Sequence, residues 1–317
     1  MACESAGDVN KTILDAIYDY RTLFQCPDEL LRMLVETKDS DRRQGIAVMI
    51  VETIMTRHGK KNLPGMLADL ATFEHGLSEL QPKARDHVVH AVLTFVLGIY
   101  IDLFFLADKH GKGVDPFQWK LAGLFHDIGY PVQIALQLVE PFVRKIAALS
   151  GAQSPAISPR LTLDGLTSLA NDRNAFPLIQ AQLDEFGLRI DASQEYLAAQ
   201  AAGRICHGML SGLALLKVID GMYQANNPSR ERRDMIVGDV DWNERFFEED
   251  VLPACAAIFI HALPDRCFSE TRISPLRAPV AYLLRLSDNF QEWTRPSGKS
   301  PEGFPSPRTR ESWPSAE

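Results

Sequence analysis

Read for its apolar periodicity, the chain is a succession of helices. From about Asn10 to Gln81 apolar residues recur at three- and four-residue spacing, as in DELLRMLVETK and RRQGIAVMIVETIMTRHGK, which predicts several amphipathic helices. His58-Gly59 and His75-Gly76 read as helix ends with Gly just past the last turn, so both histidines are expected to cap or to face solvent. Gln81-Pro82 then opens a long apolar helix, KARDHVVHAVLTFVLGIYIDLFFLADKHGKG, framed by Pro near its start and His110-Gly111 near its end. The next helix is Pro116 to Asp127, after which Gly129-Tyr130-Pro131 turns the chain into VQIALQLVEPFVRKIAALSG. Gly151 to Gly165 reads as a surface loop rich in Ser, Pro and Ala.

The second half continues the pattern. One or two amphipathic helices are expected between about Asp172 and Ala202, followed by the strong helical stretch GRICHGMLSGLALLKVIDGMYQ, whose small residues Gly208, Ser211 and Gly212 allow a close helix approach. Asn226 to Asp241 is polar and reads as a loop, Trp242 to Ala262 as a helix ending on IFIHALPD, and APVAYLLRLSDNFQEW as the last helix. No run alternates as a strand would. The expected fold class is all-α, with a helical region at 1–80 packed on a core of 81–295, and a Pro/Ser-rich tail at 296–317 without apolar periodicity, read as disordered.

Composition changes this picture little. The 317 residues suit one large or two small domains, and a net charge of −8 gives no reason to expect broad attraction to nucleic acid or anionic membrane. The five cysteines, Cys3, Cys26, Cys206, Cys255 and Cys267, are scattered, odd in number and contain no C-x-x-C, which points to a reducing, cytoplasmic compartment and away from a cysteine zinc site. The start MACESAGDVNKT lacks the basic and apolar regions of a signal peptide. Ala91 to Ala107 could mimic a membrane span, but it is short for one, carries Asp102 and continues from two histidines, so a buried core helix is the expectation.

Chemistry concentrates where apolar runs end on or contain histidine and aspartate. His126-Asp127 closes the run LAGLF; His90, His207, His261 and Asp288 each sit inside an apolar run of their own. Imidazole and carboxylate together suit Mn, Fe, Co, Ni or Zn. Asp288, in the middle of LLRLSDNF, must be paired, hydrogen-bonded or metal-bound if it is buried, and Arg285 one turn earlier is the simplest partner. His87 and His90 lie on one helix face: either both are hydrogen-bonded core histidines, or one binds a metal and the other supports it or faces substrate. The plainer alternative for the whole set is a helical protein whose histidines satisfy buried polar groups.

The order His90, His126-Asp127, Asp288 resembles the HD-domain superfamily of metal-dependent phosphohydrolases, over roughly Arg85 to Trp293. LAGLFHDIGY looks like that family's apolar helix ending in His-Asp-Ile-Gly, and HVVHAVLTF resembles its first helix, where the His before a small residue is the ligand, favouring His90 over His87. CHGMLSG and FIHALPD look like the two further histidines of a subset with a second metal site. The resemblance therefore implies an HD-like helical bundle with His90, His126, Asp127, His207, His261 and Asp288 as ligands of one or two divalent ions (Mn, Fe, Mg, Co, Ni or Zn), Asp127 bridging them. It implies hydrolysis of a phosphoester or phosphoanhydride, of a nucleotide for preference, with phosphomonoesterase, phosphodiesterase and triphosphohydrolase all open. Asp127 would orient the attacking water and His87 would protonate the leaving oxygen or support the metal. Arg85, Lys120, Arg204 and Arg266 could hold phosphate. The alternative is a regulatory HD module that binds metal or nucleotide without turnover. Two departures matter: Tyr130 stands where many members carry Lys, so that Lys role does not transfer, and Gly129-Tyr130-Pro131 is not at the position that marks the cyclic-di-GMP phosphodiesterase branch.

Overall fold

The computed structural model describes residues 6–20, 24–57, 60, 62–80, 86–107, 113–135, 139, 163–226 and 246–291. The expected helix end at His58-Gly59, the start at Gln81-Pro82, the end at His110-Gly111, most of the helix after Pro131, the loops at 151–162 and 227–241, and the tail 296–317 lie outside these residues. Among the described residues the fold is all-α, with no strand. In chain order the helices are α1 (Ala6–Ala16), α2 (Asp28–Glu36), α3 (Ser40–Arg57), α4 (Gly65–Leu80), α5 (His87–Ile101), α6 (Pro116–Phe125), α7 (Ala175–Glu185), α8 (Ala192–Ala201), α9 (His207–Asn226), α10 (Leu252–His261) and α11 (Pro279–Phe290). π-helical turns at Asp102–Leu106 and Phe247–Val251 extend α5 at its end and α10 at its start.

Two helices are buried almost all round, the signature of core elements. On α5 every residue from His87 to Ile99 is buried, and on α10 every residue from Ala254 to His261. The stretch His87–Leu106 is long and apolar enough to cross a membrane by length and composition, yet most of it is covered by α1, α3, α4, α6 and α11. Helix α10 is wrapped by α6, α7, α9 and α11. One continuous cluster of buried side chains runs from Ile13 to Leu284, so α1–α4 share a core with the helices of the second half. Each fully buried Leu, Ile or Phe in it contributes about 1.5–3 kcal/mol of apolar transfer.

Local sequence sets the ends of the elements that matter for the site. Asp86 caps α5 by accepting from the Val89 N–H at 3.2 Å, and Asp115 caps α6 by accepting from the Phe117 and Gln118 N–H groups, with Pro116 in the first turn where its missing donor costs nothing. Gly98 and Gly123 let α5 and α6 meet: a Cβ on Gly98 would fall 1.9 Å from a Trp119 ring carbon, and the Trp119 indole N–H donates to the Phe95 carbonyl across the contact.

His75-Gly76 does not end a helix. Helix α4 runs through it to Leu80, and His75 is an exposed mid-helix residue 3.7 Å from Asp41. A Gly inside a helix costs about 1 kcal/mol relative to Ala, too little to stop one whose earlier turns are anchored by buried residues such as Leu67, Leu70 and Glu74.

Candidate metal centre

Helix α6 ends at Phe125, and the chain makes a tight turn over 126–129 before helical backbone resumes at 130–135. His126 and Asp127 therefore sit at the point where the apolar helix stops, both buried. The turn is clamped against α9. The Gly129 N–H donates to the Ser211 hydroxyl at 2.8 Å, and a Cβ on Gly129 would lie 2.6–2.7 Å from Leu210 and the backbone of His207 and Ser211. The next contact is equally tight: Cβ atoms on Gly208 and Gly212 would meet His261 and Ile258, and Cys255 and Phe259, of α10. The small-residue stripe on α9 thus brings the ends of α6 and α10 and the start of α9 to one place, where α5 and the last turn of α11 also arrive.

Six side chains converge there. His90 Nε2 lies 2.8 Å from Asp288 Oδ1 and 3.9 Å from Asp127 Oδ2. His126 Nε2 lies 3.6 Å from Asp127 Oδ2 and 3.7 Å from Asp288 Oδ1. On the other side of the same carboxylate, His207 Nε2 is 3.3 Å from Asp127 Oδ1 and 3.2 Å from His261 Nε2. Two ligand atoms bound to one ion at about 2.1 Å, with ordinary tetrahedral or octahedral angles, stand about 3.0–3.4 Å apart. These spacings are close to that range, and His90, His126 and Asp127 form one group able to hold an ion, Asp127, His207 and His261 another.

The outward-facing ring atoms are equally informative. His126 Nδ1 donates to the Gly123 carbonyl at 3.0 Å, His261 Nδ1 to the Ile258 carbonyl at 2.6 Å, His207 Nδ1 to Gln133 Oε1 at 3.0 Å, and His90 Nδ1 meets Gln291 Oε1. Metal-binding histidines are oriented in this way, the bond at one nitrogen leaving a lone pair on the other. The Nε2 atom of His126 is buried without a hydrogen-bond partner. His207 and His261, both donating through Nδ1, face each other through two Nε2 lone pairs at 3.2 Å, an arrangement that a cation between or beside them would relieve.

The charges follow the same division. Burial pushes the Asp127 carboxyl up, but His126, His207, His87 and His90 around it hold it well below the usual carboxylate range. Asp288 is likewise pushed up by burial and carried well below by His126 and His90. Burial works against a charged His126, yet Asp127 and Asp288 raise its affinity for a proton above the ordinary imidazole value. Burial lowers His207 against the pull of the two carboxylates, and burial with His207 and His126 nearby pushes His261 down to about 3. One half of the centre thus holds two carboxylates that favour their ionised form, and the other holds two imidazoles that favour their neutral form.

Several expectations need correction. The simpler alternative for Asp288, a pair with Arg285, does not form; Arg285 instead bonds Asp265 at 2.5 Å and the Leu263 carbonyl at 3.2 Å. The Asp288 side chain is 24% exposed and lines the cavity rather than being sealed in the core. His87, expected to support the metal or face substrate, is buried, lies against Tyr130 with ring centroids 3.6 Å apart and planes tilted by 32°, and is outside both groups able to hold an ion. Of the basic residues considered for phosphate, Lys120 is buried, Arg204 is exposed, Arg266 pairs with Glu195 at 3.2 Å and none of the three lines the cavity, while Arg85 lies outside the described residues.

The cavity itself measures about 290 Å³ and is lined by His87, Asp127, Tyr130, His207, His261, Ala262, Leu263, Arg285, Asp288 and Asn289. Glu74, Gln133 and Gln291, which orient histidines, were missed in the sequence. For Glu74 a signal existed: it follows Leu67 and Leu70 at helical spacing and so occupies the buried face of α4. Comparison of the chain with family models, with curated proteins and with solved structures gave no significant match, so the reading of this centre rests on its own geometry.

Proposed function

We propose that the chain is a metal-dependent phosphohydrolase of the HD-domain type, acting on a small phosphorylated substrate, a nucleotide for preference. The observation that carries the reading is the buried Asp127 carboxylate, which turns one oxygen toward His90 and His126 and the other toward His207 and His261. His90, His126, Asp127 and Asp288 would hold one ion and Asp127, His207 and His261 a second. A set this rich in imidazole fits Mn, Fe, Co, Ni or Zn better than Mg, which prefers oxygen donors. When bound, such ions lower the pKa of a coordinated water and polarise a phosphoryl oxygen.

The chain's own groups divide the remaining work. Asp127 orients the attacking water through whichever lone pairs the ions leave free. His87 stands beside the centre without belonging to it, with an Nε2 atom that is buried and unpartnered, which suits a proton donor to the leaving oxygen. Arg285 is the lysine or arginine among the residues lining the cavity, and with Asn289 it would be the group to meet a phosphate once released from Asp265. The cavity is at the small end of the range of about 300–1,000 Å³ for ligand sites, which favours enclosure of a phosphoryl group and little more.

A second reading, a regulatory module that binds metal or nucleotide without turnover, draws support from Arg285, whose guanidinium is already engaged by Asp265 and the Leu263 carbonyl. The two readings separate on activity. Protein loaded with Mn should hydrolyse at least one phosphorylated metabolite in a broad panel, chelator should abolish this, and Asp127→Ala should remove turnover with the helical circular dichroism retained. Metal binding without hydrolysis of any panel member would leave the regulatory reading in place of the enzymatic one.

A further inference from the structure

The charge-bearing group beside the centre that the ligand set leaves unexplained is Glu74. It sits on α4, in the N-terminal helical region, and is buried. Its Oε1 accepts from the His87 backbone N–H at 2.6 Å and from the His87 ring Nδ1 at 2.7 Å, and its Oε2 accepts from Gln44 Nε2 of α3 at 2.9 Å. Gln44 is fixed in turn by donating to the Ala71 carbonyl at 3.1 Å. A buried carboxylate is costly unless its oxygens are satisfied, and here one oxygen is spent on His87 while the other is held by Gln44. That ring also lies against Tyr130, centroids 3.6 Å apart and planes tilted by 32°, and its far nitrogen, Nε2, is buried with no hydrogen-bond partner next to the cavity.

We propose that Glu74 is a positioning residue for the reaction: it fixes His87 with Nδ1 protonated and Nε2 presented to the leaving oxygen, so that α3 and α4 are part of the reaction site. The inference rests on the phosphohydrolase reading above. In the step it serves, the water oxygen forms the new bond to phosphorus and gives up a proton to solvent. The bond from phosphorus to the leaving oxygen breaks, its electron pair going to that oxygen together with the Nε2 proton of His87, which enters the step as imidazolium and leaves it as the neutral Nδ1–H tautomer. His87 then regains a proton from solvent, keeping its Nδ1–H on Glu74 throughout.

Two readouts decide the matter. In the metal-free wild-type protein, long-range proton–nitrogen NMR spectra should show neutral His87 as the Nδ1–H tautomer; an Nε2–H tautomer would overturn the positioning role whatever the activity. The second readout uses two esters that differ only in the leaving group, a p-nitrophenyl phosphoester, whose leaving group needs no proton, and an alkyl phosphoester, whose leaving group does. Glu74→Gln should lower kcat on the alkyl ester at least about tenfold, within the range general acid catalysis supplies, while changing the p-nitrophenyl rate little and leaving metal content intact. Gln44→Leu, which frees the other side of Glu74, should show the same pattern more weakly and serves if Glu74→Gln does not fold. An equal loss on both esters, or no loss on either, would overturn the proposal. If the wild type hydrolyses neither ester, the tautomer alone decides what Glu74 does to His87, and the phosphohydrolase reading stands or falls on the metabolite panel.

Discussion

At the scale of single residues the account turns on Asp127 and on how its neighbours divide. Asp127→Asn keeps the shape but gives up the charge that two groups share, so it should empty both, and elemental analysis after metal loading should show content near background. His90→Ala should also lower metal content, whereas His87→Ala, removing a ring outside either group, should leave it unchanged and depress turnover. The opposite pattern would reverse the two roles. The charges also fix a pH dependence for the metal-free protein. Asp127 and Asp288 titrate below their usual range, so the stability they contribute is present above the unfolded carboxylate value and is lost as pH falls from there through the lower folded values. His126 titrates above the ordinary imidazole value, so its contribution is complete below the unfolded value and is lost as pH rises through the folded one. His207 and His261 titrate below the ordinary imidazole value, so they oppose folding increasingly as pH falls below it. In urea denaturation of the metal-free proteins, His261→Ala should therefore lose less stability than the wild type between about pH 6.5 and 4, and an equal loss would contradict the assignment. The candidate ligands were legible because each interrupts an apolar run. Gln133 and Gln291 were not, because an amide near a helix end looks like any solvated residue until the fold brings a histidine to it.

At the scale of elements the centre depends on how closely α9 can approach its neighbours. A methyl at position 212 would press to 2.6 Å from the Cys255 carbonyl oxygen, so Gly212→Ala should cost about 1–3 kcal/mol by overpacking, read as a fall in urea midpoint. Ser211→Ala removes the acceptor of the buried Gly129 N–H, and a buried donor left without a partner costs about 1–3 kcal/mol. Because Gly129 closes the turn that carries Asp127, this variant should also bind metal more weakly, and unchanged affinity would show that the turn is held by something else. The stripe Gly208, Ser211, Gly212 could be read in the sequence as a close-approach surface, but not which helix approaches. The continuation of α4 through Gly76 differs from the expectation for a related reason: a local helix-stop signal weighs little beside the burial of the same helix at Leu67, Leu70 and Glu74, which a local window does not show.

At the scale of the whole molecule, periodicity sufficed for the all-α class, since nearly every segment repeats its apolar residues at helical spacing. What it could not give is the convergence of α5, α6, α9, α10 and α11 on one point, or the reach of α3 and α4 into it through Gln44 and Glu74. Those follow from a single continuous core that joins the two halves of the chain. Metal that binds only where this core brings the five helices together must also stabilise the fold, so loading should raise the thermal midpoint, and more so at higher metal concentration. The central claim, two ion-holding groups joined by one carboxylate, is met most directly by metal stoichiometry. Elemental analysis of loaded, desalted protein should give roughly two ions per chain, the number a carboxylate-bridged pair requires, falling to about one in His261→Ala and to background in Asp127→Asn; a wild-type protein that retains no metal above background would contradict it.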